Sequence, residues 1–199
     1  MKRALMSEDS KIQWSLFLSG NDKAYSWLYK TYIQILYSYG TRFTSDDELI
    51  KDCIQEVFIS LWKSRSKLPL PDNIKVYLMI SLKNCLIRHL YKSELFRNYD
   101  SKEIITFSIL EPTVEEEYID NEDFFHLQQK VKKILAILTP RQQEIIYYRF
   151  IQELSFEEIC SLMDLNYQSA QNLIQRSLKK IRDSYGSLEV LLLLITYIH

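Results

Sequence analysis

Three glycines and four prolines must serve every reversal in a chain of 199 residues. Strand-rich folds need a turn residue every few positions, because Gly supplies a positive φ and Pro a preset one. So few breakers, set among abundant Leu, Ile, Tyr, Lys and Gln, leave helix as the conformation that can run through most of the chain. No sustained alternation of apolar and polar residues competes with that reading. The expected fold class is all-α, with helices bounded mainly by polar capping residues.

Periodicity locates the helices of the N-terminal half. Tyr25, Leu28, Tyr29, Tyr32, Ile33 and Leu36 repeat at three and four, after an Asn21-Asp22 start and before Gly40, which suits a helix C-terminus. DDELIKDCIQEVFISLWKS at 46–64 repeats the spacing with Ile50, Cys53, Ile54, Val57, Phe58, Leu61 and Trp62 inward. Its opposite face carries Lys51, Asp52, Gln55, Glu56 and, out of pattern, Ile59. A charged face is ordinarily a solvated one. An isoleucine among carboxylates instead suggests a partner surface, since burying it there would gain about 2 kcal/mol.

The loop SRSKLPLPDN at 64–73 follows, with Lys63, Arg65 and Lys67 at its edge, and Asp72 or Asn73 can cap the next helix. That helix has Tyr77, Leu78, Leu82, Cys85, Leu86 and Leu90 as its apolar stripe. Lys75, Lys83, Asn84, Arg88, Lys92 and Arg97 gather on the other face, interleaved with His89, Tyr91 and Phe96. Cations for phosphate and aromatic rings for unstacked bases are what a single-stranded nucleic-acid groove uses.

The formal net charge of −1 hides an uneven distribution. Residues 1–97 hold 15 basic and 10 acidic side chains, residues 98–130 hold 2 and 9, and residues 131–199 hold 8 and 7. The acidic block, with Glu115–Glu117 and Asp120–Asp123 and with Pro112 interrupting it, reads as a solvated linker. Two small helical domains are therefore expected, over 1–97 and 131–185, joined by an acidic linker at 98–130 and followed by an apolar tail at 186–199.

The second domain opens on Thr139-Pro140-Arg141-Gln142, a capping box with proline at the first helical position. Ser155-Phe156-Glu157-Glu158 repeats the device, so a helix begins at Phe156 with Ile159 and Leu162 inward and the small Cys160 permitting close packing. Met163–Asn166 leaves room only for a tight turn, and Asn166 can cap a further helix. In it Ala170, Leu173, Ile174, Leu178 and Ile181 share one stripe, leaving Tyr167, Gln168, Ser169, Gln171, Asn172, Gln175, Arg176 and Lys179 outward. Two short helices joined by a tight turn, the second presenting such residues near its start, form a helix-turn-helix. Asn and Gln pair with adenine and Arg with guanine in the major groove, while the helix N-terminus and Lys179, Lys180 and Arg182 favour phosphate.

Other functions find little support. Cys53, Cys85 and Cys160 sit in apolar helical stretches, as reduced core thiols of a cytoplasmic protein do. Cys85 and His89 are the only Cys/His pair at helical spacing, and two ligands make no zinc site, so no metal and no cofactor are expected. No Gly-rich phosphate loop is present and no nucleophile stands beside a base, so the chain reads as a non-enzyme. Met1–Gly20 lacks the form of a signal peptide, and Val190–Ile198 is too short to cross a bilayer, so no membrane insertion is expected. A stand-alone regulator would use the helix-turn-helix but leave the Gln55-Glu56 helix without a role.

These stretches together resemble the extracytoplasmic-function sigma factors of the sigma-70 superfamily, from about Leu16 to Asp183. DCIQEVFISLW at 52–62 is similar to the family's core-binding helix, and YLMISLKNCLIRHLYK at 77–92 to its promoter-melting helix, with Tyr77, Leu78 and Asn84 in step. LTPRQQEIIYYRF and LSFEEICSLMDLNYQSAQNLIQRSLKKIR are similar to its C-terminal domain. The resemblance implies core RNA polymerase and promoter DNA as partners, with an anti-sigma factor as a further one. It implies that Asp52, Gln55, Glu56 and Ile59 contact polymerase, and that Arg65, Lys67, Lys83, Asn84, Arg88 and Lys92 serve the minus-10 element, with a flipped base taken by the loop at 64–73. The outward residues of the last helix, Tyr167 to Lys179, would read the minus-35 element. The chain departs from the pattern at Arg88, where many relatives are acidic, at Tyr91, where they often have Arg, and at Asp164, where the turn often has Gly. The tail is expected to pack on the C-terminal domain, with an anti-sigma site as the alternative.

Overall fold

Most of the helices open on a polar residue whose side chain accepts from the first backbone N–H groups. The computed structural model describes residues 2–96, 107–109 and 131–186, leaving aside the side chains of residues 2–7 and 93–96. The chain divides into two compact units, Met1–Lys102 and Glu103–His199. Among the described residues every regular element is helical, which bears out the expected class.

In the first unit α1 (Lys2–Leu18) ends at Gly20, whose φ of +89° lets the chain reverse. Asn21 then starts α2 (Asp22–Gly40) by accepting from the backbone N–H groups of Lys23 and Ala24. Asp46 caps α3 (Asp47–Ser64) by accepting from Leu49 N–H at 3.1 Å. Of the two candidate caps for α4 (Ile74–Phe96), Asn73 is the one used, accepting from Val76 N–H at 3.3 Å. Leu28, Leu36, Ile50, Phe58, Leu78, Met79, Leu82 and Leu86 fill the core between α2, α3 and α4. The inward edge of α2 is Ala24, Leu28, Tyr32, Leu36 and Tyr39, with Tyr25, Tyr29 and Ile33 only half-buried. The buried stripe thus begins one residue earlier than the aromatic repeat suggests. An aromatic layer closes the side facing α1, where Phe17 stacks on Tyr25 and Tyr25 meets Trp62 at 5.0 Å between centroids. Trp14, wholly buried, donates its indole N–H to the Pro69 carbonyl at 3.1 Å and so ties α1 to the loop after α3.

Gly40 does end a helix, yet not by adopting a left-handed conformation. A Cβ there would lie 2.7 Å from Ile50 Cγ2, so the missing side chain is what lets α2 and α3 approach.

The second unit begins earlier than the composition suggests. Phe107 and Ile109, in the stretch read as linker, are buried in it: Phe107 packs on Tyr147 and Tyr148, and Ile109 N–H donates to Gln143 Oε1 at 3.2 Å. Gln143 is itself buried, and its Nε2 donates to the carbonyls of Leu135 and Leu138. A buried amide with both ends satisfied joins three segments here, where an unsatisfied one would cost about 1–3 kcal/mol. After α5 (131–136) come α6 (Pro140–Ile146), which runs on through a π-helical turn at Tyr147–Ile151, then α7 (Phe156–Met163) and α8 (Tyr167–Tyr185). Thr139 and Ser155 each form the complete capping box that the sequence predicts. Val131, Ile134, Leu135, Ile145, Ile146, Ile159, Leu162, Ala170, Ile174 and Ile181 supply the core. The apolar tail and residues 110–130 lie outside the described residues.

Candidate nucleic-acid and partner interfaces

The turn between α7 and α8 decides how α8 is presented. Asp164 takes φ 51° and ψ 56°, the left-handed conformation usually filled by glycine, and the N–H groups of Asp164 and Leu165 reach back to the Cys160 carbonyl. Asn166 immediately caps α8, its Oδ1 accepting from Ser169 N–H at 2.8 Å. Arg141 reaches across from α6 to the Met163 carbonyl at 3.4 Å, holding the turn against the first helix of the unit. The result is a helix-turn-helix of the expected boundaries.

On α8 the side chains of Tyr167, Gln168, Asn172, Gln175, Arg176 and Lys179 are exposed, while Ser169 and Gln171 are half-buried. Gln168 Nε2 donates to Asn172 Oδ1 at 3.2 Å, and Arg176 Nε donates to the Asn172 carbonyl. These bonds pre-order the row without burying it. A shallow groove lined by Asn172, Gln175, Arg176 and Lys179 runs along the same face. The buried stripe departs from expectation at one place: Ser177 is fully buried and donates to the Leu173 carbonyl, while Leu173 and Leu178 are only half-buried. A helix serine can bury its hydroxyl by bonding back four residues, which a hydrophobic pattern cannot reveal.

In the first unit Asp52, Gln55, Glu56 and Ile59 all lie exposed on α3, with Ile59 at 50%. Glu56 is turned toward α4. It pairs with Arg88, meets His89 Nε2 at 3.0 Å and accepts from the Cys85 thiol at 3.3 Å. The bonds from His89 and Cys85, in that order, hold its carboxyl below the ordinary carboxylate range. Burial pushes the Cys85 and Cys53 thiols up from their usual value. Glu56 and Arg88, assigned from the sequence to different interfaces, therefore touch.

The basic set around α4 is unevenly exposed. Lys67, Asn84, Arg88 and Lys92 are exposed and Lys83 is half-buried. Arg65 is spent locally: its guanidinium lies 4.4 Å from the Trp62 ring centre and donates to the Trp62 carbonyl at 2.8 Å. A cleft of about 250 Å³ opens between α3, the loop and α4, with Ser64, Leu68, Tyr77, Ser81, Asn84 and Arg88 among its lining. Polar edges on an aromatic and aliphatic floor suit a single extruded base.

Comparison with known proteins agrees with both halves of this geometry. The family model described as Sigma-70 region 2 matches residues 28–94, and that described as Sigma-70, region 4 matches residues 128–181, together more than half of the 199 residues. The chain belongs to the sigma-70 family. Region 2 is thus the α2–α4 bundle and region 4 the unit with the helix-turn-helix, the two-region layout of the extracytoplasmic-function sigma factors, which direct core polymerase in transcription initiation. A similar curated protein, bacteriocin UviA of Clostridium perfringens, is 23% identical over 177 residues, covering 83% of the sigma factor and 93% of that protein. Similar solved folds include CnrH, determined in complex with the cytosolic domain of CnrY, at 17% identity and a TM-score of 0.56 over 87% of this chain and 95% of that one. The sigma factor RpoE of Bartonella quintana, determined in complex with the anti-sigma factor NepR, matches with the same identity and TM-score over 81% and 96%. Among the described residues no helix is long and apolar enough to cross a membrane.

The resemblance and the periodicity missed one residue. Cys53 Sγ lies within 4.8 Å of both the Cys85 thiol and a His89 ring nitrogen, so the Cys85–His89 pair has a third potential ligand beside it. The i,i+3 and i,i+4 spacings within α3 and α4 are visible in the sequence. That the two pairs face each other follows only from the docking of the helices.

Proposed function

We propose that this sigma factor docks on core RNA polymerase through Asp52, Gln55, Glu56 and Ile59, melts the minus-10 element with the loop at 64–73 and α4, and reads the minus-35 element with α8. It acts in the cytoplasm, where polymerase and promoters are, and does no bond chemistry of its own. The observation that carries this reading is the α8 row, base-reading side chains left exposed on three successive turns and aimed by a left-handed turn. In the first unit an exposed isoleucine beside Asp52 and Gln55 supplies a partner surface with an apolar centre and a polar rim. Lys67, Asn84, Arg88 and Lys92 carry the minus-10 contact, and Arg65 supports it by shaping the loop over Trp62. Because CnrH and RpoE were each determined with a bound partner, an anti-sigma factor competing for these faces is part of the proposal.

Two double variants separate the roles. Gln171→Ala with Arg176→Ala should abolish promoter choice while leaving core polymerase binding intact in a pull-down. Gln55→Ala with Ile59→Ala should abolish the pull-down of core polymerase, and with it promoter-directed transcription, while leaving the weak, salt-sensitive binding of the free chain to promoter DNA unchanged. Loss of both activities in both variants would contradict the division of labour.

A further inference from the structure

Where α3 docks on α4, three potential metal ligands converge and a fourth stands against two of them. Cys53 Sγ, Cys85 Sγ and a His89 ring nitrogen all lie within 4.8 Å of one another. Glu56 joins them, with Oε2 at 3.3 Å from Cys85 Sγ and 3.0 Å from His89 Nε2. Cys53 and Glu56 stand three residues apart on α3, and Cys85 and His89 four apart on α4, so each helix offers two donors from one face. We propose that Cys53, Glu56, Cys85 and His89 form a tetrahedral site for a borderline-soft divalent metal ion, with Zn²⁺ the best match.

Ligand bonds of about 2.0–2.3 Å in a tetrahedron set ligand atoms about 3.3–3.8 Å apart. The two Glu56 contacts are within a few tenths of an ångström of that; the cysteine–histidine triangle needs a contraction of about 1 Å and Glu56 must also swing toward Cys53, movements within reach of side-chain rotation. Two thiolates exclude Mg²⁺ and Ca²⁺, which require oxygen ligands, and select a thiophilic ion. Binding would release the two thiol protons to solvent. Two thiolates and a carboxylate would leave the divalent site with one net negative charge, and Arg88, whose guanidinium is 3.5 Å from Cys85 Sγ, stands ready to balance it. His89 and Glu56 form the solvent-facing rim, with Cys53 and Cys85 buried behind them, so an ion has a way in and a dry inner half. An occupied site would draw Glu56 from Arg88 and link a polymerase-facing residue to a DNA-facing one. That consequence rests on the proposed function, whereas the site does not.

The test is titration of the reduced full-length protein with Co²⁺ in the absence of oxygen, followed by displacement with Zn²⁺. We expect one Co²⁺ per chain, d–d bands of tetrahedral form, and a sulfur-to-cobalt charge-transfer band that falls by roughly half, for two thiolates, in Cys53→Ser or Cys85→Ser. His89→Ala and Glu56→Gln alter the exposed rim and should fold normally by circular dichroism. Each should weaken binding by about 100-fold or more, since even supporting residues around metal sites cost 10–100-fold. Cys160→Ser, in the other unit, should change nothing. A full chain that binds less than one ion, a rim variant that binds like the parent, or binding that depends on Cys160 would overturn the proposal.

Discussion

At the scale of single residues, two positions show backbone geometry dictating side-chain identity. Gly40 is needed because Ile50 occupies the space a Cβ would take. Gly40→Ala should therefore destabilise the first unit by about 1–3 kcal/mol, the usual penalty for overpacking, seen as a lower urea midpoint with an unchanged slope. Asp164 presents the opposite case, a side chain kept where glycine would be easier, at φ 51°. Left-handed geometry costs an L-residue about 1–2 kcal/mol, somewhat less for Asp, and glycine would forfeit part of the gain by loosening the unfolded chain. Asp164→Gly should raise stability by about 0.5 kcal/mol, whereas Asp164→Val should lower it, both read from urea unfolding. A valine variant as stable as the parent would contradict the assigned turn.

At the scale of elements, what could be read from the sequence was whatever depends on local chemistry. Both capping boxes, the start at Phe156 and the tight turn after Met163 follow from hydrogen bonds spanning three or four residues, and all four are found. The burial of Ser177 and the meeting of Glu56 with Arg88 depend on which helices dock, and no periodicity encodes that. Phe107 and Ile109 were hidden for another reason, since two apolar residues in an acidic stretch carry too weak a pattern to mark packing. On α8 the chemistry differs along one face and so should the phenotypes. In the proposed function Lys179 contacts a phosphate, so in Lys179→Ala affinity should fall evenly across promoter sequences and the slope of binding against salt should drop by about one. The same proposal gives Arg176 a base contact, so Arg176→Ala should cost about 1–3 kcal/mol at the preferred sequence and relax choice at one position. Equal behaviour of the two variants in salt-titrated binding would count against the docking of α8 in the major groove.

At the scale of the whole molecule, the two units show different exposed faces, a helix with an isoleucine at 50% exposure in one and a polar helix row in the other, and the proposed function gives them complementary tasks. Surfaces split between two units bind weakly one at a time and strongly together only when a scaffold holds both, because the second contact then becomes intramolecular. Core polymerase is that scaffold in the proposed function. The most direct measurement is run-off transcription with purified core polymerase on a panel of genomic fragments, with and without the full-length chain. New transcripts with discrete start sites should appear only when the chain is added, and should vanish with Gln55→Ala and Ile59→Ala together. An unchanged transcript pattern, with the chain folded and core enzyme active, would contradict the account.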